Sequence, residues 1–524
     1  MKHLEHLDYV IFGLYFFIVI GVAMYVSRKP KGHERNAEDY FLAGRSLPWW
    51  IIGASLIASN ISTEQIIGMN GTAFESGVAV ISYSLIGAAI TILIVGKYFL
   101  PKFLEGKIYS MPEFLKKRFN KKVSILMSVF WILVYVFVNL TSVLSLGAIT
   151  LEAVLGIPII YSIIGLAFVS AIYTIYGGLS AVAWTDFIQV GVLILGGLAV
   201  VWIGLDQVAI KYSGEGFIEG MATLIEVQPD KFHTVLPANH EELPWTGVFL
   251  GGLWIAALSY WGCNQYIIQR ALAAKSLKEA QHGLLFAAVL SVIVAVIIVI
   301  PGVIASELFS GQITSRDQAF PVLIRELLPV GYSGLVIASL IAAIISSLNS
   351  MCNSVATIFT MDIYRGMINT NASQNNLVKT GRIVTAVALL LAIIVTPAVA
   401  SMGKLFSFIQ EYTGFVTPGV LCIFLTGLFW KKTTSKAALW TVLLTIPISI
   451  AFKTFLPQLA FLNRMMLTFL LLLLITIILS LKDKTPESEL NLDKLESREE
   501  SSLLYNVGAF VVIALIAVFY VIFY

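Results

Sequence analysis

The chain has 524 residues, of which 58% are hydrophobic and 12% charged, with a mean hydropathy of +0.87. Soluble domains carry roughly twice that charged fraction, so the composition excludes a soluble globular protein and implies an all-α integral membrane protein. A net charge of +3 points to no nucleic acid or other charged partner, because where the charges lie counts for more than their sum.

Fourteen apolar runs are expected to be transmembrane helices, at approximately 7–26, 48–70, 77–100, 123–153, 158–176, 185–205, 247–266, 280–305, 334–363, 378–399, 403–430, 436–456, 459–481 and 503–524. The first lacks a small-residue cleavage site behind it and reads as a retained helix, not a signal peptide. The least regular connections, 206–246, 306–333 and 482–502, leave no room for a soluble domain, so 1–524 reads as one membrane domain. Cys263, Cys352 and Cys422 lie inside apolar runs with neither zinc nor disulfide spacing, and no histidine is assigned a metal.

The second run is unlike a plain span. Its middle reads Ala58-Ser59-Asn60-Ile61-Ser62-Thr63-Glu64-Gln65, a polar cluster set among small residues. Within hydrocarbon such a stretch is tolerable only against protein or a water-filled cavity. A helix interrupted there frees carbonyls and helix ends that bind a cation and orient a solute.

Lys and Arg crowd the connections after runs one and three (Arg28, Lys29, Lys31, Arg35 and Arg45; then Lys97 to Lys122). By the positive-inside tendency these connections are cytoplasmic and both termini lie outside. Runs two to six (48–205) and seven to eleven (within 247–456) then form two five-helix blocks of opposite topology. Residues 1–47 and 457–524 flank them. Inverted repeats of this kind place a binding site at midplane and predict that the leading helix of the second block is interrupted too. Run seven turns from small to aromatic and polar at Ser259-Tyr260-Trp261-Gly262-Cys263-Asn264-Gln265. Run nine sets Ala343, Ser346 and Ser347 on one helix face. Two hydroxyls and a carbonyl there, with carbonyls freed at Ala58 and Ile61, would supply about five neutral oxygens, donors suited to sodium. The competing role for the serines is to bond their own helix or glue it to a neighbour.

These stretches resemble the sodium/solute symporter family, and within it the sodium/glucose and sodium/galactose cotransporter branch. Further matches are Ile175-Tyr176-Gly177-Gly178-Leu179-Ser180, Trp184-Thr185-Asp186, Thr360-Met361-Asp362-Ile363-Tyr364 and Ile409-Gln410-Glu411-Tyr412-Thr413-Gly414. The resemblance implies a LeuT-like inverted-repeat fold, sodium-coupled uptake and no cofactor beyond the coupling ion. It implies a plasma-membrane, multi-pass location, Na⁺ and a sugar-like solute as partners, and leaves open a homodimer. It assigns sodium to carbonyls of Ala58, Ile61 and Ala343 and hydroxyls of Ser346 and Ser347, with Asp186 catching the ion on its way out. Gln65, Gln410 and Tyr260 match sugar-binding positions, and Asn60 and Trp261 accompany them. Tyr260 also serves as the inner gate, supported by Tyr135, Asn139 and Asn264. The resemblance places Met69, Tyr83 and Phe406 at the outer lid. Four positions depart from the hexose-transporting pattern: Ser84, Gly87, Ala257 and Ser291. Each removes a partner for a sugar hydroxyl, and a site built to pair a hydroxyl discriminates on the order of 10⁴-fold by doing so. A sugar-like solute is retained; galactose is not, and a polyol, derivatised sugar or organic acid is the alternative.

Overall fold

A computed structural model of the chain describes residues 6–26, 36–62, 64–400, 411, 413–483 and 501–524. The described residues are helical apart from turns, loops and one isolated bridge between Leu47 and Ala274. In chain order the helices are α1 (His6–Val26), α2 (Ala37–Leu42), α3 (Trp49–Asn60), α4 (Gln65–Glu105), α5 (Met111–Arg118), α6 (Lys121–Glu152), α7 (Ile159–Ile172) and α8 (Gly178–Lys211). There follow α9 (Gly216–Val227), α10 (Gly252–Cys263), α11 (Gln265–Leu272), α12 (Leu277–Leu308), α13 (Ala319–Leu327), α14 (Tyr332–Ile368) and α15 (Gln374–Ala400). The last four are α16 (Thr417–Phe429), α17 (Ser435–Phe455), α18 (Phe461–Lys482) and α19 (Leu503–Ile522).

Among the described residues ten helices are long and apolar enough to cross a membrane. Four of the fourteen expected runs are not among these ten. Runs two and seven are broken, run five contains the short apolar helix α7, and the described part of run eleven contains the short apolar helix α16. Two sharp bends fall where side chains cannot fit. Gly77 bends α4 with φ +72°, and a Cβ there would lie 2.2 Å from the Lys231 carbonyl oxygen. Gly178 separates α7 from α8 with φ +63°, where a Cβ would lie 2.4 Å from the Tyr40 carbonyl oxygen.

Burial sorts the helices into a centre and a rim. The most apolar stretch of α14 is 94% buried, whereas those of α1, α17 and α19 are 17–22% buried. The rim helices turn Phe17, Trp440, Phe510 and Leu515 outward, an apolar surface that suits lipid and not water. The central α14 packs extensively against α8, and α3 packs against α12 and α8. These contacts hold the two helices that carry the site.

The rim also fixes the start of α14. Asp8 of α1 is buried, and its Oδ1 accepts from the N–H groups of Gly331 (2.9 Å) and Gly334 (2.7 Å). It thus caps the open end of a helix more than three hundred residues away. Asp8→Ala should cost about 1 kcal/mol of stability. Thermal unfolding of the full chain in detergent checks this: the melting temperature drops for alanine and largely recovers for Asp8→Asn.

Candidate functional site

The site begins where α3 stops. Trp49–Asn60 is regular helix, and Ile61 N–H still reaches the Ile57 carbonyl at 2.9 Å. Ile61 itself is extended, with φ −76° and ψ 105°. The chain resumes helix at Glu64, and Gln65 closes the gap. Its Oε1 accepts from the Ser62 N–H (3.1 Å) and hydroxyl (2.8 Å), while the N–H groups of Gln65 and Ile66 return to the Ser62 carbonyl, both at 3.1 Å. Serine and asparagine break helices because their side chains offer the backbone other partners. The interruption expected over Ala58–Ile61 therefore lies slightly later. Ala58 is in the last helical turn, whose carbonyls lack a complete set of following amides.

The serine face of α14 approaches this end. Ser347 Oγ lies 3.5 Å from both the Ser59 and the Ile61 carbonyl oxygens. Ser346 Oγ donates to Asp186 Oδ1 of α8 at 2.6 Å, and Ser55 of α3 donates to Asp186 Oδ2 at 2.5 Å. Ala58 and Ala343 are both buried, Ala343 one turn before the serine pair. The structure thus brings Ile61 and Ser347 together directly and joins Ser346 to Asp186. The set is one of uncharged oxygens with a carboxylate one hydroxyl away.

A cavity of about 270 Å³ opens on the other side of the same break. Asn60, Gln65, Met69, Tyr83 and Ser84 line it from the first half of the chain, with Gly87 beside them. From α6 come Tyr135 and Asn139; from α10 and its end come Ala257, Tyr260, Trp261 and Asn264. No charged side chain is among the described lining residues. The wall includes widened π-type turns at Glu64–Met69, Leu85–Ile90 and Tyr135–Leu140, a distortion that recurs at functional sites. Asn139 Oδ1 is buried without a hydrogen-bond partner among the described residues, so an acceptor stands ready for a solute hydroxyl.

Run seven is interrupted, as expected of it. Asn264 is extended between α10 and α11, with φ −83° and ψ 125°. Its Oδ1 accepts from the Tyr135 hydroxyl (2.6 Å) and the Tyr266 N–H (3.2 Å), while the Tyr135 oxygen accepts from the Gln265 N–H at 3.1 Å. Tyr135 thus ties α6 to the break. Tyr260 sits edge-on to both Trp261 and Tyr266.

Some expected roles change. Trp261 reaches the cavity, yet its indole N–H is committed to the Gly87 carbonyl at 2.9 Å, which makes it a strut for the wall. Ser291 does not line the cavity; its hydroxyl bonds the Ala287 carbonyl of its own helix, the usual fate of serine inside an apolar helix. Phe406 and Gln410 lie outside the described residues. Thr413 and Thr417 line the cavity without having been singled out; the Thr417 hydroxyl donates to the Thr413 carbonyl at 2.7 Å.

Residues 40–445 match the family model described as the sodium:solute symporter family. The chain is 45% identical, over the full length of both, to the sodium/glucose cotransporter of Vibrio parahaemolyticus. It is 34% identical to the human sodium/myo-inositol cotransporter 2, over 84% of this chain and 68% of that one. Among solved structures, a Na⁺-coupled sialic acid symporter in a substrate-bound outward-open state superposes with a TM-score of 0.81. That match has 22% identity and covers 92% of this chain and 99% of the other.

The Tyr135–Asn264 contact can be tested without reference to cargo. Tyr135→Phe leaves the buried Gln265 N–H and Asn264 Oδ1 short of a partner, a loss of about 1–3 kcal/mol. Hydrogen exchange at the Gln265 and Tyr266 amides should then accelerate at least about tenfold. Unchanged exchange would show that the hydroxyl does not hold this joint.

Proposed function

The chain belongs to the sodium:solute symporter family, and on that premise we propose that it imports a neutral, sugar-like solute together with sodium by alternating access. The observation that carries the reading is that one helix break serves two sites. Asn60, Ser62 and Gln65 face the cavity, while the carbonyls of Ser59 and Ile61 face Ser347. An ion bound by Ala58, Ile61, Ala343, Ser346 and Ser347 fixes the shape of the cavity wall, and so favours one conformation over another.

The wall argues for the class of cargo. Amides, hydroxyls and aromatic faces suit a polyhydroxylated ring, whose C–H face stacks on Tyr260 and whose hydroxyls meet Gln65 and Asn139. An organic acid would need a cationic partner, and the described lining offers none. A polyol such as the solute named for the inositol cotransporter relatives is the second reading, favoured by Ser84 and Gly87 in place of larger or charged partners.

The architecture assigned to this function has fourteen spans, with 48–205 and 247–456 as inverted halves and 1–47 and 457–524 as flanks, in a plasma membrane. Breaks at Ile61 and at Asn264, each leading its half, support it. The basic connections set the cytoplasmic side and leave both termini outside.

Two measurements test the proposal. Proteoliposomes offered labelled glucose, galactose, myo-inositol and a sugar acid should accumulate a neutral solute only under an inward sodium gradient. Ser346→Ala with Ser347→Ala should abolish the sodium dependence, since two of about five oxygens are lost. Coupled uptake that survives in the double variant would refute the ion site.

A further inference from the structure

Asp186 and Arg270 are both wholly buried, and Arg270 Nη2 lies 3.6 Å from Asp186 Oδ2. The guanidinium sits in a nest of hydroxyls. Its Nε donates to Ser55 Oγ at 3.0 Å, Nη2 donates to Ser350 Oγ, and Nη1 to the Tyr266 carbonyl of its own helix. Ser55 in turn donates a hydrogen bond to Asp186 Oδ2, so arginine and carboxylate are joined directly and through a shared hydroxyl. Arg270 is carried by α11, the half of the broken span that begins next to Asn264.

Three constraints meet here. A carboxylate enclosed this completely stays ionised only with a cation beside it. Ser346, whose hydroxyl donates to Asp186, stands next to Ser347, which faces the freed carbonyls of α3. An ion held through Ser346 is therefore one oxygen away from Asp186. Two monovalent cations cannot share that carboxylate in a low-dielectric interior without strong mutual repulsion.

We propose that Arg270 is a tethered counter-cation that exchanges with sodium on Asp186, a role that rests on the symporter reading. With Arg270 seated, α11 is held against α3, α8 and α14 through Ser55, Asp186 and Ser350. A sodium ion passing from the Ile61–Ser347 cage to Asp186 displaces the guanidinium and releases α11. The returning guanidinium expels the ion and docks α11 again. Ion release and movement of the broken span then become one event. Arg270 is a positioning residue in this scheme, touching neither solute nor the cage.

The test uses ²²Na⁺ as probe on the purified full chain: equilibrium binding in detergent and the rate of ²²Na⁺ release from the loaded protein. Arg270→Gln leaves Asp186 unopposed, so sodium should bind about tenfold more tightly and leave correspondingly more slowly. Asp186→Asn combined with Arg270→Gln removes both charges and should return affinity to within about threefold of wild type. Arg270→Lys keeps the charge but loses the fork, and should tighten sodium by about threefold. A merely structural arginine would weaken binding or leave it unchanged. Either result in a monodisperse Arg270→Gln protein overturns the exchange. If that variant does not fold, an unaltered sodium affinity and release rate in Arg270→Lys does so. A wild-type chain that binds no sodium overturns the symporter reading itself, which separates the two failures.

Discussion

A helix cut in the middle of a membrane has two open ends and no water to satisfy them, and the fold is arranged around meeting that requirement at Ile61–Ser62. One side chain does most of the work. Gln65 takes both the N–H and the hydroxyl of Ser62 on a single oxygen, so the gap is closed from the α4 side. On the α3 side the last carbonyls are left to outside partners, and Ser347 approaches two of them. The packing of α3 on α12 and of α14 on α8 holds this geometry, because neither open end would keep its place on propensity alone. Gln65 is consequently half committed: its oxygen is spent on the break, and its amide nitrogen is what remains for a solute.

The second break repeats the logic with different chemistry. Asn264 caps α11 through Tyr266 N–H and accepts from Tyr135, so a tyrosine from α6 supplies what Gln65 supplies within its own strand of sequence. The inner helix α11 is further fastened by two glutamines. Gln265 bonds the Met111 N–H and the Tyr109 carbonyl, and Gln269 donates to the Phe41 carbonyl and to Thr357. Polar side chains in α11 therefore act as fasteners between helices.

The sequence made the first break legible because hydroxyls, an amide and a carboxyl stand where hydrocarbon requires aliphatic residues. Its position was off by about a turn, since Ala58 and Ser59 tolerate helix as readily as its end and only the Ser62–Gln65 contact decides. The serine pair on α14 was legible from spacing alone, whereas the turn of Ser346 toward Asp186 was not, because periodicity names a face and never the partner. Arg270 gave no signal at all. It follows a run of polar and aliphatic residues that reads as a connection, and its partner lies 84 positions earlier in the chain, 270 minus 186. Ser291 misled for the opposite reason: a position matched to a family's binding residue turned inward to its own helix once its side chain was too short to reach the cavity.

The placement of charge has an energetic consequence. The described cavity wall carries no charge, and the buried pair of Asp186 and Arg270 adds none in sum. In the proposed cycle an empty carrier of this kind returns without moving charge from these groups through the lipid. A carrier loaded with one sodium and a neutral solute moves a single positive charge, and about 2.3 kcal/mol per 100 mV then acts on the loaded step alone. That is worth nearly fiftyfold in solute gradient before any sodium gradient is counted. A charged cavity wall would hold an ion in the absence of solute and spread the electrical work over both halves of the cycle. In the proposed cycle, confining the pair behind the cage, one serine away from the ion, directs the membrane potential at the step that carries cargo.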